Sequence, residues 1–154
     1  MSERQSSAFY KVLELAPANS DGHKRHKMKQ QKTTENYLKA IYLLSRRGEV
    51  HGIDIAEYLG VSKPTVSVSL RALESEGYLY TGKNKAVCLT ENGISLAVDI
   101  YEKNQTLKNL LVRLGVSEDT AAKDACEMEH AISAESLRAL RHLTDIREDG
   151  KENG

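Results

Sequence analysis

The sequence is poor in large aromatic side chains. Among 154 residues there is no Trp and a single Phe, Phe9. Hydrophobic residues make up 40% of the chain, so a core can form, but it must consist mainly of Leu, Ile, Val and Ala. Such a composition favours helices packed on helices. The length suits one compact domain, or a small domain joined to a short partner domain.

Long apolar runs and cysteine pairs are also scarce. No apolar run approaches the roughly 20 residues of a membrane span. The first residues, MSERQSSAFYKVLELA, lack the basic start and apolar centre of a secretory signal. Two cysteines, Cys88 and Cys126, do not form a disulfide framework, so we expect a reducing, cytoplasmic location. Without a Gly-rich phosphate loop or a protease-like set of Cys, His and Asn, the chain gives no indication of enzyme activity.

The charges are balanced in number but uneven along the chain, which has 22 basic and 22 acidic residues. Residues 1–32 hold seven basic and three acidic side chains, and residues 33–90 hold seven and six. Residues 91–154 hold eight and thirteen, a net charge of −5. A nucleic-acid-binding half joined to an acidic oligomerisation half would show this distribution. Ordinary surface charge explains it equally well.

The N-terminal third contains two predicted helices. Apolar spacing over residues 9–16 predicts a short amphipathic helix, which the turn-forming residues 17–22 end. His23–Lys32 is basic and is either a flexible arm or the run into the next helix. Thr34 is the predicted N-cap of that helix, which should end at Arg46–Gly48.

The segment from residue 52 to residue 76 has the spacing of a helix-turn-helix. A short helix, Ile53–Leu59, is closed by Gly60, and a second helix is predicted from Lys63 to about Glu76. The small Ala56 permits close helix approach, Gly60 supplies the positive φ of the turn, and Val66 packs between the helices.

The start of the second helix predicts a DNA-reading surface. Ser62 can cap the helix, and Pro64 is tolerated in the first turn because its missing N–H has no helical partner there. Hydroxyl groups and one ammonium on the outward face suit base edges and phosphates of a major groove. A helical hairpin with a solvated face is the alternative. The predicted contacts are Ser62, Lys63, Pro64, Thr65 and Ser67.

A β-hairpin is predicted directly after this helix. Gly77–Tyr80 reads as a strand, Gly82–Lys85 as a turn and Ala86–Leu89 as the returning strand. The arrangement is that of a winged helix. Lys83 and Lys85 at its tip are predicted to contact phosphate, which adds affinity without sequence information.

The remaining chain is predicted to be helical and self-associating. Thr90 begins a long helix that reaches Gly115, Ser117 caps a helix that continues through Ile132, and Ser133 opens a last helix. These helices carry more apolar surface than a small winged helix can cover. Burial against a second copy is the simplest solution, so we expect a homodimer and a palindromic DNA site.

Three side chains near the C-terminus could bind a metal ion. The spacing of Cys126, Glu129 and His130 would place them on one helical face. Thiolate, carboxylate and imidazole together suit a first-row transition metal. The alternative is a chance grouping of a buried Cys, a surface Glu and a capping His.

Four segments together resemble a known family. They are TTENYLKAIYLL (Thr33–Leu44), DIAEYLGVSKPTVSVSLRALESEGYL (Asp54–Leu79), LTENG (Leu89–Gly93) and ACEMEHAIS (Ala125–Ser133). The chain is similar to the diphtheria toxin repressor and manganese-transport-regulator family, over roughly residues 33–143. The resemblance implies a mainly α protein with a small β wing, in which a winged-helix DNA-binding domain precedes a helical dimerisation domain. It also implies bacterial control of metal-uptake genes.

By this resemblance we expect a layout similar to that of the shorter, manganese-type members, which lack the SH3-like domain of iron-type members. We expect a basic extension at 1–32, the winged helix at 33–92, a metal-binding and dimerisation domain at 93–144, and a polar tail at 145–154. The function implied is a metal-dependent repressor. A winged-helix regulator without metal control is the alternative, and a hydrolase or interaction module on the same fold is a third possibility.

The resemblance places Cys126, Glu129 and His130 at the family's C-terminal ligand positions. Two further ligand positions differ, because Asn36 replaces a Met or Asp and Asn104 replaces a histidine.

Lys39 stands where manganese-type members have a carboxylate, and its positive charge argues against two metals. We expect at most one divalent ion per chain. It is Fe or Mn by resemblance, with Co, Ni or Zn also suited to the thiolate. The Lys39 ammonium is predicted to pair with Glu129 or Glu127, with a solvated Lys as the alternative.

Overall fold

The computed structural model describes residues 21–149, which form six α-helices and one two-stranded sheet. The chain divides into two units between Lys32 and Thr33. The short N-terminal helix predicted over residues 9–16 lies outside the described residues. In chain order the elements are α1 (Asp21–Ser45), α2 (Gly52–Leu59), α3 (Lys63–Ser75), β1 (Leu79–Thr81), β2 (Val87–Leu89), α4 (Glu91–Arg113), α5 (Glu118–Met128) and α6 (Ala134–Asp149).

Helix α1 begins earlier than the sequence indicated. It starts at Asp21, so the basic stretch His23–Lys32 is helical and Thr34 lies inside the helix, not at its cap. The prediction of an N-cap at Thr34 was wrong, because residues 23–33 contain neither Gly nor Pro to stop a helix that forms upstream. The predicted end was right within two residues, since α1 stops at Ser45.

The helix-turn-helix forms as predicted. Gly60 closes α2 in the left-handed conformation with φ of 66°. At the other end of α2, the backbone N–H of His51 donates to Asp54 Oδ2 at 2.8 Å, which satisfies one terminal donor. Ser62 caps α3 by accepting from the N–H of Thr65 at 3.3 Å. These local contacts fix where both helices begin and end.

The wing is a short antiparallel hairpin in which Leu79 pairs with Leu89 and Thr81 pairs with Val87. Residues 83–85 form a 3₁₀ turn at its tip. The N–H of Val87 also donates to the carbonyl of Val50 at 2.7 Å. This bond fixes the segment before α2 to the returning strand.

The first hydrophobic core lies among α1, α2, α3 and the wing. Val66 of α3 is buried together with Ala56 of α2, as the helix-turn-helix spacing predicted. Ala97 of α4 belongs to the same cluster, so the first turns of α4 pack on the winged helix. The buried members are Tyr37, Leu38, Ile41, Val50, Ile55, Ala56, Val66, Leu73, Leu79, Val87 and Ala97.

A close backbone approach joins α4 to the start of the wing. Thr90 caps α4 by accepting from the N–H of Gly93 at 3.2 Å. A Cβ at Gly93 would lie 2.0 Å from the carbonyl oxygen of Tyr78. Only glycine fits this contact without a backbone shift, which explains its place in the segment LTENG.

The C-terminal helices surround a second, smaller core of Leu107, Ala125 and Leu137. Helix α5 ends at Met128. The sequence had predicted that this helix continues through Ile132, four residues further. Helix α6 continues to Asp149 and includes the first residues assigned to a polar tail. Within residues 21–149, no helix has the length and hydrophobicity needed to span a membrane.

Candidate functional site

The outward face of α3 is exposed along its N-terminal half. Ser62, Lys63, Pro64, Thr65 and Ser67 are all accessible, whereas Val66 between them is 1% exposed. The buried Val66 anchors the helix, so the polar face points away from the core. A helix with this division can lie in a groove without losing its packing.

The first turn of α3 is held by side chains as well as backbone. Ser62 Oγ and Thr65 Oγ1 lie 2.8 Å apart, so the two hydroxyls share a hydrogen bond. Pro64 occupies the first turn, where it costs no helical hydrogen bond. The two hydroxyls are therefore presented in a fixed arrangement.

Two further side chains of α3 share the exposed surface and were missed from the sequence. Arg71 is exposed and follows Lys63 and Ser67 at intervals of four residues, so the three lie in one row. Val68 is 66% exposed, the highest value among the large hydrophobic side chains of the described residues. The four-residue spacing was visible in the sequence and could have identified Arg71.

The wing presents its lysines at a tight tip. Lys83 and Lys85 are both exposed. Asn84 and Lys85 have φ of 56° and 58°, and the N–H of Gly82 donates to the carbonyl of Ala86 at 2.8 Å. The positive φ values turn the chain sharply, which places two ammonium groups on one short loop.

The candidate metal ligands lie around the end of α5. Cys126 is in the helix, but Glu129 is its C-cap and His130 lies in the following turn. The helix itself ends before two of the three residues, but Glu129 keeps helical φ and ψ of −57° and −30°. The side chain of Glu129 lies inside the protein, where the residue is 1% exposed.

His130 is held between side chains of α1. Its Nδ1 lies 2.5 Å from Glu35 Oε2, and its Nε2 lies 2.9 Å from Asn36 Oδ1 and 3.3 Å from Glu129 Oε1. A carboxylate oxygen only accepts, so Nδ1 donates to Glu35 and Nε2 is the nitrogen directed at the cluster. Glu35 is itself 5% exposed.

Lys39 is also part of this cluster. Its Nζ lies 2.5 Å from Glu129 Oε1 and 3.9 Å from Cys126 Sγ. The side chain of Lys39 is 12% exposed and that of Glu129 is fully buried. The predicted pairing of Lys39 with Glu129 is present, and the solvated alternative does not apply.

The thiol of Cys126 lies at the edge of the cluster. Cys126 is exposed, and Asn104 Nδ2 approaches its Sγ at 3.5 Å. Five side chains from α1 and the end of α5 thus meet at one place. They are Glu35, Asn36, Lys39, Glu129 and His130, with Cys126 and Asn104 beside them.

Comparison with known proteins assigns the chain to a family. Residues 29–87 match the family described as iron dependent repressor, N-terminal DNA binding domain. Residues 90–149 match the iron dependent repressor, metal binding and dimerisation domain. Transcriptional regulator MntR of Escherichia coli is 40% identical over 111 residues, covering 71% of this chain and 72% of that protein. The chain belongs to the iron-dependent repressor family.

Other members of this family of metal-dependent transcriptional repressors are similar in sequence or structure. The diphtheria toxin repressor of Corynebacterium glutamicum is 34% identical over 73% of this chain and 50% of that protein. The solved structure of the manganese regulator SloR is 31% identical with a TM-score of 0.65, covering 73% of this chain and 53% of that one. The chain thus spans about half the length of this solved structure. The family confirms the predicted winged helix followed by a dimerisation domain.

The cluster contains side chains of the types that bind transition metals. Glu129 Oε2 is buried and has no hydrogen-bond partner among the described residues, so one carboxylate oxygen is left to bind a cation. The Cys126 thiol and the His130 imidazole belong to the same cluster. As they stand, no three His, Cys, Asp or Glu side chains in residues 21–149 are arranged to hold a metal. The ammonium of Lys39 occupies part of that space.

Proposed function

We propose that this chain is a metal-responsive repressor that binds a palindromic operator as a homodimer, with one divalent metal per chain. The observation that carries the proposal is the cluster that joins α1 of the winged helix to the turn after α5. His130 contacts Glu35 and Asn36 of α1 from a position more than 90 residues along the chain. A ligand bound in this cluster can therefore affect the helix that supports α3.

DNA is contacted through α3 and the wing in this proposal. The exposed hydroxyls of Thr65 and Ser67 suit base edges, and the methyl groups of Val68 suit a thymine methyl. Lys63, Arg71 and the wing lysines supply charge for phosphates. Ser62 and Pro64 position the first turn of the helix. This division assigns sequence reading to Thr65, Ser67 and Val68, and general affinity to Lys63, Arg71 and the wing.

Self-association is supported by apolar side chains that the described chain leaves uncovered. Leu114, the C-cap of α4, is 59% exposed, and Leu143 of α6 is 57% exposed. A symmetric pair of chains can bury such side chains against each other. We propose that the C-terminal helices form this interface and that the dimer acts in the cytoplasm.

The metal would be held by Cys126, Glu129 and His130, with Asn36 as a further oxygen donor. Thiolate and imidazole together favour Fe, Co, Ni or Zn, whereas the family also includes manganese regulators. When bound, the metal supplies a positive charge shared by the winged helix and the dimerisation helices. Glu35 then keeps His130 oriented, because the Nδ1–H bond leaves Nε2 directed at the cluster.

Metal content and molecular mass together test this proposal. Protein purified without chelator should carry up to one transition-metal ion per chain and have the mass of a dimer. His130→Ala should lose the metal and remain a dimer, because His130 lies in the ligand cluster and not among the exposed apolar side chains. Equal metal content in both proteins would remove this cluster as the metal site.

A further inference from the structure

We propose that the Lys39 ammonium is a built-in cation of this site, which competes with the effector metal for Glu129. The inference rests on the proposed metal site at Cys126, Glu129 and His130. In the metal-free protein Lys39 contacts Glu129, and an incoming metal competes with it.

The contacts of Lys39 are those of a cation in a binding site. Its Nζ lies 2.5 Å from Glu129 Oε1 and 3.9 Å from Cys126 Sγ, so it contacts two of the three proposed ligands. The pair is largely removed from water, at 12% and 0% side-chain exposure. A surface ion pair would be screened by solvent, but this one is shielded and holds Glu129 in place.

Burial makes a cation at this position necessary. A fully buried carboxylate requires a partner, because its charge is costly to remove from water. Glu129 has Lys39 on Oε1 and His130 at 3.3 Å from the same oxygen, while Oε2 has no partner in the described residues. Lys39 therefore neutralises Glu129 in the metal-free protein and links α1 to the end of α5.

A metal on Glu129 Oε2 would lie within a few ångströms of the Lys39 ammonium on Oε1. The two cations would repel each other, so metal binding favours withdrawal of Lys39. Its side chain is long, flexible and partly exposed, so it can reach solvent without disturbing α1. Metal binding then replaces the Lys39 ammonium with a metal ion as the cation between α1 and the end of α5. Lys39 thereby sets the metal concentration at which the protein responds.

The experiment measures Co²⁺ binding by visible absorbance in the parent, Lys39→Met, Lys39→Gln and Lys39→Arg. Loss of the ammonium should tighten Co²⁺ binding by roughly fivefold or more, the range typical of coupling between ligands of one protein. The metal-free Met and Gln variants should melt at lower temperature than the parent and gain more from Co²⁺. Lys39→Arg keeps the charge and should bind Co²⁺ as the parent does.

Lys123→Met is the matched control, since Lys123 is an exposed lysine on α5 without a contact to Glu129. Its Co²⁺ affinity should stay within about twofold of the parent, which separates local competition from long-range charge. The inference is overturned if the parent binds Co²⁺ and the neutral Lys39 variants bind it equally well. Binding only in the neutral variants supports the competition. If neither the parent nor any variant binds Co²⁺, both this inference and the proposed metal site are wrong.

Discussion

The proposed role of Glu35 depends on its contact with His130, which lies 95 residues further along the chain. Its carboxylate accepts from His130 Nδ1 at 2.5 Å in a buried environment. In metal sites, a carboxylate on one histidine nitrogen orients the ring so that the other nitrogen can bind the ion. Glu35 is therefore a positioning residue in the proposed centre and not a ligand.

Glu35→Gln should weaken Co²⁺ binding by about 10- to 100-fold, the usual effect of losing such a partner. The amide keeps the size of the side chain but loses the charge that holds Nδ1–H. The measurement is a Co²⁺ titration, together with circular dichroism to establish that the fold is retained. Glu118→Gln, at the exposed start of α5, serves as the control and should bind Co²⁺ normally. Parent-like Co²⁺ affinity in Glu35→Gln would mean that His130 needs no such orientation.

Sequence reasoning predicted the candidate ligands but not their surroundings. Cys126, Glu129 and His130 are close in the sequence, and their side-chain chemistry makes them candidates. The contacts to α1 depend on tertiary packing across the whole chain, which no spacing rule describes. Lys39 was identified only because its charge was unexpected at that position. Glu35, beside Asn36, gave no comparable signal.

Among the elements, those defined by short-range signals were predicted well. Gly60, Ser62 and Thr90 each act within four residues, so the caps and the turn of the helix-turn-helix could be derived locally. The start of α1 and the end of α5 could not. Residues 23–33 contain no helix breaker, and nothing local distinguishes Met128 from the residues just after it, so short-range signals place neither boundary.

Substitutions in α3 and in the wing should affect DNA binding differently. Thr65→Ala should reduce discrimination between operator and random duplexes by about 1–3 kcal/mol, because it removes a hydroxyl that we propose contacts a base edge. The N–H of Thr65 still donates to Ser62, so the helix cap remains. Lys85→Ala should weaken binding to both duplexes about equally and lower the salt dependence by about one unit.

Fluorescence anisotropy at several salt concentrations distinguishes these effects. Ser75→Ala, at the opposite end of α3, is the control and should bind both duplexes as the parent does. Unchanged binding in both Thr65→Ala and Lys85→Ala would argue against this surface as the DNA interface.

The junction of α4 with the wing should tolerate no side chain at Gly93. The Cβ of Gly93→Ala would lie 2.0 Å from the carbonyl oxygen of Tyr78, so the backbone must shift. We expect the free energy of unfolding to fall by about 1–3 kcal/mol or more, as in overpacked cores. Chemical denaturation measures the change. Gly52→Ala is the control, because its Cβ would meet Val66 at an ordinary 3.8 Å. Equal stability of both variants would show that the junction is not tightly packed.

At the scale of the whole molecule, α1 joins the proposed metal site to the proposed DNA surface. The turn after α5 contacts α1 through Asn36 and Lys39. Helix α1 packs in the same core as Val66 of α3. A metal that changes the contacts of α1 can therefore change the position of α3. By thermodynamic linkage, DNA must then affect metal affinity to the same extent.

The most direct test is operator binding by the dimer in the presence and absence of metal. An operator selected from random duplexes should be palindromic, and Fe²⁺, Mn²⁺, Co²⁺ or Zn²⁺ should tighten its binding by roughly 5- to 150-fold over chelator. The same metal should bind more tightly by that factor when operator is present. Operator affinity that is identical with chelator and with every metal, in protein that demonstrably binds the metal, would show that this chain does not couple metal to DNA.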